Sequence, residues 1–153
     1  MPSRDLDILV EDANGAPVLA VECKSIGLST ETESHLLRRA SDFGQLPFAM
    51  LVDPQQIRIY RVSDNRNGHP VPAIVLPTES TFQHYDAAFG QGRIFEHTLI
   101  TLSGAWLRDV MDHWRSPKAP GEDELQRVGL LPRIAGGWTR QEAGSNGAAL
   151  LRD

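Results

Sequence analysis

The chain has 153 residues, 41% of them hydrophobic and 23% charged, a composition that suits one globular domain with a single core. Its formal net charge of -5 lacks the basic surplus of a dedicated duplex binder, although Arg38-Arg39, Arg58 with Arg61, and Arg108, Arg115 and Lys118 form local basic clusters. One cysteine, Cys23, excludes an internal disulfide framework and a cysteine-cluster zinc site, and the expected setting is reducing and cytoplasmic.

Leu6, Ile8 and Val10 alternate with Asp7, Leu9 and Glu11, which is the period of a strand. Asn14-Gly15 tolerates the positive φ of a tight turn, so Val18 to Cys23 is the predicted return strand of a hairpin. Ser29 or Thr30 caps a helix over 31–43, with Leu36, Leu37, Ala40 and Phe43 as its apolar stripe and Gly44 as its stop. "PFAMLV" and "QIRIYRV" are two further strands, at 47–52 and 56–62, joined by a turn at Asp53-Pro54. Residues 64–70 are a loop, "AIVL" adds a short strand, and 79–90 carry no clear signal. Residues 98–114 show a helical face of Leu99, Leu102, Trp106, Val110, Met111 and Trp114. The boundaries are thus a 1–115 α/β domain and a Gly- and Pro-rich tail, 116–153, loosely docked or partly disordered. No apolar run approaches the roughly 18 residues of a membrane helix, and MPSRDLD lacks the layout of a signal peptide.

The polar interruptions of the first two strands carry the chemistry. Residues two apart share a strand face, so Glu22 and Lys24 point one way and Cys23 the other. A turn centred on 14–15 sets Asp7 opposite Glu22, where Cβ atoms lie about 4.5–5.5 Å apart. Two carboxylates that close repel unless a cation sits between them. Oxygen ligands of this kind suit Mg²⁺ or Mn²⁺, with the Cys23 carbonyl as a further ligand. Asp5 is an alternative to Asp7 on the same face. Lys24 then stands where an ammonium can position a water or stabilise a charged phosphoryl group.

Asp7 followed by "ILV", a hairpin, and "VLAVECKS" resembles the PD-(D/E)XK nuclease superfamily, the restriction-endonuclease-like fold. The helix at 31–43 and the strand pair "PFAMLVDPQQIRIYRV" extend the likeness over about residues 4–62, most closely to the nuclease domain at the N-terminus of type I restriction motor subunits. The resemblance implies an α/β fold with a restriction-endonuclease-like mixed β-sheet flanked by helices. It further implies Asp7 and Glu22 as metal ligands, Lys24 as the catalytic lysine and Gln45 as a minor candidate. The implied activity is Mg²⁺-dependent endonucleolytic hydrolysis of DNA, with a motor or specificity subunit or a homodimer as partner. The family core has a helix and a strand ahead of the Asp strand, whereas six residues precede Asp7 here. A truncated start, substitution by C-terminal elements and a degenerate fold are all open. The rival reading is a catalytically inactive nuclease-fold module for binding or assembly.

Taken singly, Glu-x-Lys on a strand is a cross-strand ion pair on a solvated face. Cys23 reads as an inert core thiol, the five histidines lack metal spacing, and Trp106, Trp114 and Phe95 read as core packing. Arg38 and Arg39 lie on the polar face of the first helix, solvated by default and phosphate-contacting in a nuclease.

Overall fold

The structure is a computed structural model that describes residues 6–27, 29–43, 46–65 and 69–141. Asp5, Gly44 and Gln45 lie outside the described residues, as does the 142–153 part of the expected tail. The elements in chain order are β1 (Ile8–Glu11), β2 (Pro17–Cys23), α1 (Thr30–Asp42), β3 (Phe48–Val52), β4 (Gln56–Arg61) and β5 (Ile74–Pro77), then α2 (Thr78–Gln83), α3 (Glu96–Asp112), α4 (Glu122–Arg127), α5 (Leu131–Ile134) and β6 (Trp138–Gln141). The strands form one six-stranded sheet in the order β5-β4-β3-β2-β1-β6. Only β2 and β3 run parallel, because α1 carries the chain back between them; the other neighbours are antiparallel. The fold is α/β, as the alternation of strand and helix signals predicts.

Local chemistry explains the turns. Gly15 takes φ +85°, and the Asp12 carboxylate accepts the amides of Asn14 and Ala16, each at 2.9 Å, which closes the β1–β2 hairpin. Ser29 caps α1 by accepting the Thr32 amide at 3.1 Å, with Glu31 and Glu33 in the first turn where the helix dipole favours them. Asp53 takes the amides of Gln55 and Gln56, each at 2.7 Å, and so turns β3 into β4.

Alternation sorts the sheet's side chains into two cores. Ile8, Val10, Val21, Met50, Val52, Ile57 and Ile59 face α2 to α5, where Trp106 and Phe82 are fully buried. Leu9, Ala20, Ala49, Leu51 and Tyr60 face Leu36, Leu37 and Ala40 of α1. The central strands β2 and β3 are therefore covered on both sides and read as near-continuous apolar runs. Glu22 is the exception within that run.

A second buried carboxylate ties α1 to the sheet. Glu33, 6% exposed, accepts a short hydrogen bond from the Tyr60 hydroxyl and a 2.5 Å bond from the Arg58 guanidinium. Glu33→Ala would leave both donors without their acceptor. The expected cost is about 2–4 kcal/mol, measured by chemical denaturation against the wild type.

Two expectations need correction. Residues 116–141 are not a loose tail: Leu125, Leu130 and Ile134 are fully buried in the larger core, and β6 pairs with β1 from Ile8 opposite Gln141 to Glu11 opposite Trp138. The Trp106 indole donates to the Pro120 carbonyl at 2.8 Å, pinning the linker-like run to α3. Helices of six and four residues are too short to show periodicity, and glycines that serve close approach look like loop composition. Phe95 and Trp114 are not core residues either, being 54% and 50% exposed, whereas Trp106 is buried. The third helix runs two residues earlier than the pattern implies, and His113 ends it in the left-handed region at φ 55°. Residues 78–83, within and just before the stretch without a signal, form the short α2.

Candidate active site

The β1–β2 register places Ile8 opposite Val21, so the chain reaches Asp7 as β2 reaches Glu22. At this point the ladder gives way to a side-chain contact. The Asp7 amide donates to the Val21 carbonyl at 3.0 Å, and the Asp7 carboxylate itself accepts the Cys23 amide at 2.7 Å. Asp7 is 8% exposed and Glu22 5%, so both carboxylates are held in the protein at the end of the sheet. Burial without full compensation is costly for such groups.

That cost is visible in Asp7. Burial pushes its carboxyl up to about 6, the Cys23 amide opposes the rise, and the negative charges of Glu22 and Glu96 add to it. Lys24 extends from the end of β2, and its amine meets Glu22 Oε2 at 3.1 Å. Partial burial pulls its pKa down, but the Glu22 carboxylate more than offsets this and holds the ammonium above its usual range. Lys24 is therefore protonated at neutral pH. The other Glu22 oxygen, Oε1, is buried without a hydrogen-bond partner among the described residues. A carboxylate with one bare buried oxygen is a ligand position as much as a structural one.

Cys23 turns its thiol away from this group, 3.7 Å from the Ser103 hydroxyl and 1% exposed. Burial raises the thiol pKa far above the physiological range, so it is neither a thiolate ligand nor a nucleophile. If Cys23 serves the site, it does so through its carbonyl.

Outside the sheet end, Glu22 and Lys24 open onto a cleft of about 370 Å³ whose other wall is α1, through Glu31, Thr32, His35 and Arg38. The structure thus brings Asp7, Glu22 and Lys24 together and adds His35 and Arg38 as neighbours. It also adds Glu96, at the start of α3, whose charge reaches Asp7, Cys23 and Lys24. Nothing local in the sequence marks Glu96, which reads only as an acidic residue opening a helix. His35 and Arg38, three apart, share a helix face, which a helical wheel does show.

Among the described residues, no group of three or more His, Cys, Asp and Glu side chains is gathered to hold a metal ion. A cation at this place would rest on two carboxylates, a carbonyl and water. No helix is long and apolar enough to cross a membrane among the described residues. Comparison with protein-family models, curated proteins and solved structures finds no match to this chain.

Proposed function

We propose that the protein is a metal-dependent nuclease of the PD-(D/E)XK type that hydrolyses phosphodiester bonds in DNA. The observation that carries the reading is the buried Oε1 of Glu22, without a hydrogen-bond partner among the described residues, beside the Lys24 ammonium and within reach of the charge of Asp7. A central strand has no structural use for an ion pair with one oxygen unsatisfied, since an apolar residue there would cost less. Further support comes from β6 and α3, which flank the Asp strand and its hairpin partner as C-terminal substitutes for the family's leading strand and helix would.

Asp7, Glu22 and the Cys23 carbonyl would hold Mg²⁺ or Mn²⁺. When bound, the ion supplies Lewis-acid polarisation of the phosphoryl oxygen and lowers the pKa of water. The protein's own residues do the rest. Asp7, with one oxygen engaged by the Cys23 amide, keeps its carboxylate aimed by that bond. Lys24 holds its proton at neutral pH and so acts by charge, stabilising the phosphoryl oxygens as negative charge builds on them, rather than as a general base. His35 and Arg38 face the same cleft and present cationic or donor groups to the substrate.

A catalytically inactive nuclease-fold module is the second reading. The Lys24–Glu22 ion pair favours it, because that contact already supplies Glu22 with a cation. Incubation of purified protein with plasmid DNA and Mg²⁺ or Mn²⁺ separates the two. Cleavage that falls about 10²–10³-fold in Lys24→Ala, a loss of the size seen when an electrostatic stabiliser is removed, supports the nuclease. Equal cleavage by both proteins identifies a contaminant, and no cleavage of plasmid, linear or single-stranded DNA supports the module.

A further inference from the structure

We infer that α1 is the floor of a DNA-strand groove, with Arg38 as the positioning residue that holds the substrate backbone beside the reactive centre. The inference deepens the nuclease reading and rests on it for the identity of the ligand. It starts from two cavities. One is the cleft of about 370 Å³ at Glu22 and Lys24; the other, of about 450 Å³, lies further along α1 and is lined by Ser34, Ser41, Asp42 and Asn65 among others. Arg38 lines both. Arg38 therefore stands between two hollows that lie one after the other along α1.

The dimensions match a nucleic-acid strand. From Glu31 to Asp42 the helix advances about 16 Å, which spans roughly four to five nucleotides at about 3.4 Å of rise each. The groups along it are those that bind a phosphate backbone without reading bases. Lys24 and Arg38 supply charge, His35 an imidazole, and Ser34, Ser41 and Asn65 hydroxyl and amide donors. Glu31 and Asp42 stand at the two ends, so the cationic stretch is confined to the middle, next to Lys24. Arg38 is exposed and has no ion-pair partner among the described residues, whereas Lys24, its neighbour in the cleft, is held by Glu22. Its guanidinium is available for a bidentate phosphate contact. What sets Arg38 apart from the other arginines is its place on the wall of the Glu22–Lys24 cleft.

The test measures binding of a fluorescent 20-nucleotide single strand and its duplex by anisotropy, with Ca²⁺ replacing Mg²⁺, over a series of salt concentrations. Arg38→Ala is expected to weaken binding about five- to tenfold and to lower the salt slope by about one, the signature of one lost phosphate contact. Arg38→Lys should recover part of the affinity. Arg133→Ala, at an exposed position of α5, removes the same charge elsewhere and should bind as the wild type does. In cleavage assays Arg38→Ala should raise KM while leaving kcat within about twofold. Unchanged affinity and slope in Arg38→Ala, or an equal loss in Arg133→Ala, overturns the groove. The two claims fail separately: a wild type that never cleaves but binds DNA through Arg38 sinks the nuclease and keeps the groove, while cleavage with an Arg38-independent KM does the reverse. Both arginines are exposed, so thermal melts should coincide and a folding defect would not confuse the result.

Discussion

Asp7→Asn should abolish DNA cleavage and at the same time raise the thermal stability of the metal-free protein at pH 7. Asp7 is buried, and its folded-state carboxyl sits near 6 against 3.8 for an ordinary aspartate. The folded protein therefore holds the Asp7 proton more tightly than the unfolded chain does. Stability from this group is greatest below the ordinary pKa and is lost as pH rises from about 4 to about 6. At pH 7 the ionised, buried carboxylate costs up to about 3 kcal/mol, since each pKa unit is worth about 1.4 kcal/mol. Asparagine keeps an oxygen for the Cys23 amide and removes the charge, so about 1–3 kcal/mol of that cost is recovered. For a chain of this size the melting temperature should rise about 3–8 °C at pH 7 and change little near pH 4.

The same variant loses a ligand. Millimolar Mg²⁺ should raise the wild-type melting temperature and leave Asp7→Asn unmoved, because only a site that binds the folded state gives such a shift. A variant less stable than wild type at pH 7 would mean that Asp7 is held by attractive contacts and is not a strained ligand position. The trade of stability for function at a buried charge is what a catalytic pocket exhibits and what a solvated face does not.

Gly137→Ala should detach the C-terminal segment from the sheet. A Cβ at Gly137 would lie 2.0 Å from the Glu11 carbonyl oxygen and 2.8 Å from that of Ile134. Both are backbone atoms, so no side-chain rotation relieves the clash. Either β6 leaves β1 or β1 shifts within the sheet. The expected loss is about 3 kcal/mol or more, with faster amide exchange at Ile8–Glu11 and Trp138–Gln141 as the local signature. Gly15→Ala, whose Cβ meets nothing within 4 Å, gives the matched control for the backbone term alone, at about 1 kcal/mol for its positive φ. A Gly137→Ala protein with wild-type exchange at both strands would contradict the pairing. Because β1 leads directly into Asp7, the detached protein should also lose cleavage.

The two variants bracket what could be read from the residues in order. Period-2 alternation, Asn14-Gly15 and the Ser29 cap dictate the hairpin and α1 through contacts a few residues apart, and the structure has them where the pattern puts them. The same local rule makes Asp7 reach the sheet end together with Glu22 and Lys24, so the candidate site was legible as a pattern on two paired strands. Its electrostatics were not. Burial of Asp7 and the bare oxygen of Glu22 arise because β1 and β2 lie inside a six-stranded sheet covered on both faces, a property of the whole assembly. Glu96 and Arg38 enter the neighbourhood for the same reason, from helices whose sequence says only which face is apolar.

Residues 116–141 show the limit most clearly. Their short helices and glycines carry no period, and their order comes from Leu125, Leu130 and Ile134 filling one core and from β6 completing an edge. Local hydrogen bonding and alternation are encoded within a few residues and survive reading one residue at a time. Burial, charge proximity and edge pairing depend on residues far apart in the chain, and only the folded chain decides them.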